Sequence, residues 1–189
     1  MRLFLAIKPD RPAEGRLGQR VLQVQDAIGG MSASLRWTPI ENIHATLHFL
    51  GEVNASQLAH LREHLGTAVA GAPFEIGLGE PGVFPATGAP RVVWLDIVQG
   101  RERVAQLHAE LGRRLVSAEM ALESRAFSPH VTIARVPDRE RARVKLLRDQ
   151  LRDLAPVPIV WLADRVTLFR SDLTGPVPRY EPIHEISLE

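Results

Sequence analysis

Apolar residues recur along this chain with two spacings, one typical of helices and one typical of strands. Four segments repeat their apolar side chains every three to four positions, which predicts helices. They cover residues 12–28, about 55–70, about 101–118 and about 138–153. Short apolar runs bounded by turn residues predict strands. They lie near residues 2–7, 44–50, 74–79, 91–98, 130–135, 159–169 and 180–188.

The order of the predicted elements repeats. Each half reads helix, strand, helix, strand, strand, and the central strand of each half begins with the pattern His-x-Thr-apolar. The two copies are His44-Ala45-Thr46-Leu47 and His130-Val131-Thr132-Ile133. No linker or low-complexity segment separates the halves. The sequence therefore predicts one domain over residues 1–189, with two lobes and one motif in each.

Strand alternation places the histidine and the threonine of each motif on one face and the residues between them on the other. On the first strand, it also turns Phe49 toward the core. Each strand therefore presents an imidazole and a hydroxyl to one surface.

Composition limits the partners that such a surface could have. The chain carries 23 basic and 22 acidic residues, so it lacks the basic surplus of a protein that wraps nucleic acid. Its 6 Phe, 3 Trp and 1 Tyr are too few for a long base-stacking platform, so a nucleic-acid partner is expected to be touched at a small site. The absence of cysteine, the short apolar run at the start and the lack of any bilayer-length run predict a cytoplasmic protein without membrane segments.

Two imidazoles and two hydroxyls that face each other suit phosphodiester chemistry. Histidine titrates near neutral pH, so one ring can act as a neutral base while the other acts as a protonated acid. Threonine hydroxyls can donate to the nonbridging phosphate oxygens, where charge develops in the transition state. This chemistry requires no metal.

Four blocks of sequence carry a resemblance to a known family. They are HATLHFLGEV (44–53), GVFPATGAPRVVWLDI (82–97), FSPHVTIARV (127–136) and LFRSDLTGPVPRYEPIHEISL (168–188). The chain resembles the two-histidine (2H) phosphoesterases, and within them the LigT-like RNA 2′,3′-cyclic phosphodiesterases. The resemblance implies an α+β fold in which two pseudo-symmetric antiparallel sheets with outer helices surround a central cleft.

The resemblance also implies an activity. It is the metal-independent hydrolysis of RNA terminal 2′,3′-cyclic phosphate to a 2′-phosphomonoester, with reversible 2′–5′ RNA ligation as an associated reaction. The expected partners are RNA termini or small cyclic nucleotides, such as ADP-ribose 1″,2″-cyclic phosphate, with no cofactor and a monomeric enzyme. The alternative is an inactive module that binds RNA ends or nucleotides in the same cleft.

Catalytic roles follow from the resemblance, by position. His44, Thr46, His130 and Thr132 form the expected catalytic set. The two motifs are equivalent in sequence, so spacing does not distinguish the acid from the base. By resemblance, His130 is the base that activates water, and His44 is the acid that protonates the departing 3′-oxygen.

Four further residues are candidates for substrate contacts: Arg135, His48, Phe49 and Tyr180. Arg135 matches the family's basic residue at the end of the second motif. It follows the motif histidine by an odd number of positions, so a bulge or the strand end must turn it toward the site. His48 follows the first motif histidine by four residues, about 13 Å along a strand, which predicts a position at the cleft rim.

Several other patterns favour structural roles. GLGEPG at 77–82 fits the dinucleotide fingerprint, but Pro81 and Pro85 exclude the helix that must follow it. HLREH at 60–64 fits an inverted zinc-protease motif, but it lies on the predicted solvated side of a helix. Residues 135–152 hold seven basic side chains on a predicted solvated face, with modest RNA steering as the alternative. Four aromatic residues could stack on a base, although core or rim packing is preferred: Trp37, Phe84, Trp94 and Tyr180.

Overall fold

The computed structural model describes residues 1–189, which form ten strands, four α-helices and three 3-10 turns. The strands are β1 (Arg2–Ile7), β2 (Arg36–Trp37), β3 (Ala45–Glu52), β4 (Ala68–Val69), β5 (Phe74–Phe84), β6 (Val92–Gln99), β7 (His130–Arg135), β8 (Ile159–Ala163), β9 (Arg165–Asp172) and β10 (Arg179–Leu188). The helices are α1 (Arg11–Ile28), α2 (Ala55–Leu65), α3 (Arg101–Ser117) and α4 (Leu147–Arg152). The 3-10 turns cover Gly29–Ser34, Ile40–Asn42 and Asp138–Val144.

Strand pairing runs through both halves of the molecule. The order is β4-β10-β9-β1-β3-β7-β6-β5-β8, with β2 paired to β7, and all neighbours are antiparallel except β10 and β4. The two halves meet between β3 and β7, where the only registered pair is Ala45 opposite Val131. The α+β class is confirmed, and the two expected antiparallel sheets are joined edge to edge at this one pair.

Each half of the sequence contributes one helix that packs on the strands of the other half. Helices α2 and α3 pack on each other, and α3 also packs on β3. Helices α1 and α4 pack together, α1 against β8 and α4 against β5. Each lobe is therefore covered partly by a helix from the other half of the sequence. None of the helices combines the length and the apolar character that crossing a bilayer requires.

Local sequence explains where the longest helix begins and which side it buries. Asp10 precedes α1, and its side chain accepts a hydrogen bond from the Ala13 amide at 2.8 Å, with a proline in the first turn. Leu17, Val21 and Val24 then form a buried stripe at helical spacing. The predicted helix over 12–28 is confirmed to within one residue.

Three predicted elements have different boundaries in the structure. The helix predicted over 55–70 stops at Leu65 because Gly66 adopts a φ of +66°, and the chain then enters β4. The helix predicted over 138–153 is divided into a 3-10 turn and α4, and the strand predicted over 159–169 is divided into β8 and β9. Strand β5 continues past its predicted end, since a register shift before Pro81 accommodates the proline.

Candidate active site

The two His-x-Thr motifs come together where β3 pairs with β7. The single registered pair places the histidine of each motif opposite the threonine of the other, so His44 lies opposite Thr132 and Thr46 opposite His130. Directly opposed side chains lie about 5 Å apart on the same face of a sheet. All four residues are half-buried. The structure thus groups the four residues that the sequence singled out as catalytic.

The backbone fixes which ring nitrogen of each histidine is free. Nδ1 of His44 lies 2.7 Å from the Asn42 carbonyl oxygen, and Nδ1 of His130 lies 2.7 Å from the Ser128 carbonyl oxygen. A carbonyl oxygen can only accept, so each Nδ1 carries the hydrogen. In both neutral rings, Nε2 therefore holds the lone pair that is free to accept a proton.

Aromatic side chains from neighbouring strands surround both histidines. Phe4 stacks on His44 with ring centroids 4.8 Å apart, and Tyr180 meets the same ring edge-on at 5.4 Å. On the other side, Phe84 and Trp94 lie edge-on to His130 at 5.1 and 6.3 Å. Tyr180, a candidate for substrate contacts, therefore lies beside the first motif histidine.

Burial among these rings lowers the pKa of both histidines. The pKa of His44 is lowered to about 4: burial is the largest cause, the hydrogen bond to the Asn42 carbonyl opposes it, and the charges of Arg135, Lys8 and the other motif histidine also lower the pKa. For His130, burial is again the largest cause, and Arg135 also lowers the pKa, but the Asp96 carboxylate raises it. The two rings, equivalent in sequence, thus differ in the charges around them.

Arg135 reaches this face because β7 contains a bulge. In the pairing with β6, Trp94 lies opposite Thr132 but Val93 lies opposite Ala134, so β7 has one extra residue. An extra residue inverts the alternation of side chains, and Arg135 is consequently exposed on the side of the motif. Of the two alternatives that the sequence left open, a bulge or the strand end, the structure has the bulge.

An equivalent bulge in β3 corrects two predictions. In the pairing with β1, Ala6 lies opposite Thr46 but Leu5 lies opposite His48, so β3 also has one extra residue. His48 is therefore buried, with 6% of its surface exposed, and the prediction that it lies at the cleft rim is wrong. Phe49 is 48% exposed, so the prediction that it points into the core is also wrong.

The inverted alternation brings Phe49 to the side of the catalytic motif. Its ring centroid lies 6.3 Å from that of Phe4, which in turn stacks on His44. After the motif threonine, the next side chain on the cleft face is therefore the one five positions after the motif histidine. It is Phe49 in one lobe and Arg135 in the other. One position is apolar and aromatic, and the other is cationic.

Comparison with known proteins identifies the family of this arrangement. A sequence model of the 2′-5′ RNA ligase superfamily matches residues 29–175. The chain belongs to that superfamily. A relative from Thermotoga maritima named RNA 2′,3′-cyclic phosphodiesterase is 32% identical, over 100% of this chain and 96% of its own length. A relative of the same name from Aeropyrum pernix is 31% identical, over 88% of this chain and 94% of its own.

Solved structures share the fold of this superfamily member. E. coli LigT in its apo form superposes with a TM-score of 0.74 at 24% identity, covering 99% of this chain and 96% of that one. A crystal structure described as a phosphoesterase gives a TM-score of 0.77 at 24% identity, covering 99% and 97%. The resemblance to LigT-type 2H phosphoesterases drawn from the sequence is confirmed.

The other sequence motifs of this superfamily member have structural roles. The segment 77–82 lies inside β5, and a Cβ on Gly82 would come within 2.4 Å of the Trp94 ring, so this glycine makes room for an aromatic neighbour of the catalytic face. His60, Glu63 and His64 lie on the outward side of α2, as predicted. Their ligand atoms lie within 4.8 Å of one another, and they are the one group of side chains in the chain that could hold a metal ion.

The basic segment at 135–152 is a solvated face, as predicted. Four of its arginines pair with carboxylates within the same segment, for example Arg143 with Glu140 at 3.2 Å and Arg152 with Asp149 at 2.8 Å. The apolar stripe predicted within it is buried: Val144, Leu147 and Leu151.

Three residues beside the site were missed by the sequence analysis: Phe4, Lys8 and Asp96. Phe4 belongs to a run in which Leu3 through Ile7 are all buried, so alternation could not show which side chains face the cleft. Asp96 lies opposite the second motif histidine in β6. Phe4 and Asp96 could have been identified only from the pairing of strands, which is not visible in either strand alone, and Lys8 follows the end of β1.

Proposed function

We propose that this chain hydrolyses the 2′,3′-cyclic phosphate at RNA termini to a 2′-phosphomonoester. The observation that carries the proposal is the junction of β3 and β7, where two histidines with free Nε2 atoms lie beside two threonines. In-line attack on phosphorus needs a base on one side and an acid on the other. Relatives named RNA 2′,3′-cyclic phosphodiesterase, about 30% identical over most of the chain, favour an enzyme over an inactive binding module.

The charges around the two rings support His130 as the base and His44 as the acid. Nε2 of His130 takes a proton from water as the oxygen attacks phosphorus, and the Asp96 carboxylate stabilises the imidazolium that forms. His44 gives its proton to O3′ as the P–O3′ bond breaks, and Lys8 makes this ring a stronger acid by lowering its pKa. The substrate's phosphate anion opposes that effect by raising the pKa of the ring, so the ring takes up a proton from solvent when the substrate binds.

The remaining cleft residues bind the substrate in this proposal. The hydroxyls of Thr46 and Thr132 donate to the nonbridging phosphate oxygens, and Arg135 pairs with their negative charge. Phe49 and Tyr180 supply apolar rings for the ribose and base. His48 is buried and donates a hydrogen bond to the backbone of α3, so it does not contact the substrate in this proposal.

We expect full activity in the presence of EDTA. The chemistry uses only protein side chains, and the one group that could hold a metal ion lies on α2. The assay is turnover of a dinucleotide ending in a 2′,3′-cyclic phosphate, with ADP-ribose 1″,2″-cyclic phosphate as a second substrate. Activity that disappears with chelator and returns with a divalent ion would contradict the mechanism. Tight binding without turnover would indicate the inactive module.

The pH dependence tests the charges around His44. The pH profile of kcat/KM reports the free enzyme, in which burial lowers the pKa of both motif histidines below their ordinary value. Both limbs of a bell-shaped profile are therefore expected below pH ~6.5. His44 has the more strongly lowered pKa of the two, so it sets the acidic limb of the profile. Lys8→Met removes a charge that lowers this pKa, so the acidic limb is expected to move to higher pH. Lys145→Met is the control, and an acidic limb that does not move contradicts the assignment.

The superfamily to which the chain belongs favours a second activity, reversible 2′–5′ ligation. In this reaction a 5′-hydroxyl takes the place of water, the same base removes its proton, and O3′ leaves as before. The test incubates an RNA ending in a 2′,3′-cyclic phosphate with a 5′-hydroxyl RNA and determines the linkage of any product.

The proposal also retains four expectations from the sequence: one domain over residues 1–189, a monomer, no metal and a cytoplasmic location.

A further inference from the structure

The segment that leads into the second motif has few backbone constraints. Residues 121–129 lie outside every helix and strand, and no backbone–backbone hydrogen bond of a turn, loop or cap involves them. Yet Ser128, within this segment, provides the carbonyl oxygen that accepts the Nδ1 hydrogen of His130. Side-chain packing must therefore hold this carbonyl in place.

Three stacked rings provide such packing. The ring of Phe127 lies 3.9 Å from that of His108 on α3, with only 9° between the planes. The His108 ring in turn lies 4.1 Å from that of His48 on β3, at 14°. Phe127 immediately precedes Ser128, so the stack connects the segment before β7 to both α3 and β3. Near-parallel contact over two ring faces restricts the position and the tilt of Phe127.

The inner end of the stack is fixed by the backbone of α3. Nε2 of His48 donates to the His108 carbonyl oxygen at 2.8 Å, which sets the orientation of the His48 ring. Gly112, one turn further along α3, leaves the space that this ring fills, since a Cβ there would lie 3.4 Å from its Cε1 atom. Burial lowers the pKa of both stacked histidines, that of His108 to about 4, so the rings are neutral near pH 7 despite the nearby Glu123 carboxylate.

We propose that His108 and Phe127 are positioning residues for His130. By stacking, they hold the Ser128 carbonyl where it accepts the Nδ1 hydrogen, and thereby keep Nε2 of His130 free and directed at the phosphate. The proposal rests on the role of His130 in the proposed function. The first motif histidine does not depend on a stack of this kind. Its carbonyl partner, Asn42, ends a 3-10 turn, so backbone hydrogen bonds hold that carbonyl in place.

The test compares variants that remove a ring with one that keeps it. Phe127→Leu and His108→Leu retain apolar bulk but lose the stack, whereas His108→Phe preserves it. Two-dimensional ¹⁵N–¹H NMR of the histidine rings reports the tautomers directly. We expect His130 to become a mixture of tautomers in both leucine variants, with His44 unchanged, and to keep the wild-type tautomer in His108→Phe.

Kinetics on the cyclic-phosphate dinucleotide provide the second measurement. A displaced catalytic group costs up to about 10²-fold in rate, so kcat is expected to fall ~10- to 100-fold in the leucine variants with KM within about twofold. His108→Phe is expected to restore kcat. Phe74→Leu, which removes a half-buried ring far along the sequence from this segment, is the control for general loss of packing.

The outcomes separate this proposal from the proposed function. An unchanged His130 tautomer in the leucine variants overturns the positioning role, whatever the activity. A wild-type protein that shows the Nδ1–H tautomer but does not open cyclic phosphates contradicts the proposed function alone. If Phe127→Leu does not fold, the pair His108→Leu and His108→Phe decides the question, since a merely structural ring would give both variants the same tautomer at His130.

Discussion

Replacing either motif histidine with alanine is expected to slow the opening of a 2′,3′-cyclic phosphate by at least about 10²-fold, the usual contribution of a positioned general acid or base. The corresponding loss of transition-state stabilisation is about 2.7 kcal/mol or more. Nε2 is the proton-transfer atom in both rings, because each Nδ1 hydrogen is held by a backbone carbonyl. Steady-state rates of His44→Ala and His130→Ala on the dinucleotide substrate provide the measurement.

A modified leaving group distinguishes the two rings. A substrate with sulfur at the 3′ position needs little protonation when the P–S bond breaks, so it is expected to restore much of the rate to His44→Ala. It should not restore His130→Ala, which lacks the base that activates water. Preferential rescue of His130→Ala would reverse the assignment. A 3′-phosphate product from the natural substrate would show that the other ribose oxygen leaves.

Loss of either threonine hydroxyl is expected to lower kcat by about 10²-fold, as deletion of one donor to developing charge does elsewhere. Thr46→Val and Thr132→Val keep the branched shape that suits a strand, so both variants should fold. Each hydroxyl lies across the strand pair from a motif histidine, beside the site of the phosphate. Thr67→Val, at an exposed position next to β4, is the matched control. Wild-type rates in either motif variant would exclude that threonine from the site.

The limits of strand periodicity are clearest in the two motif strands. Alternation correctly placed the histidine and the threonine of each motif on one face. Beyond the threonine it failed in β3, where an extra residue buries His48 and exposes Phe49. In β7 the same distortion was one of two alternatives, with the strand end as the other, and it was considered only because Arg135 was expected at the site. A bulge is defined by the residues opposite it in the neighbouring strand, and the pattern of a single strand does not contain that register.

The sequence by itself determined the types and approximate extents of most elements, the pair of His-x-Thr motifs and the resemblance to the 2H phosphoesterases. Local periodicity is sufficient to predict the elements, because it reflects which side of each element is buried, whereas the resemblance rests on the motif residues themselves. Only the tertiary structure decided that β9 and β10 return to pair beside β1, that α1 and α3 cover the opposite lobes, and that the motif strands meet at one residue pair. These features depend on hydrogen bonds and packing between segments far apart in the chain. Any apolar face can pack against several partners, so its own residues do not specify which one it meets.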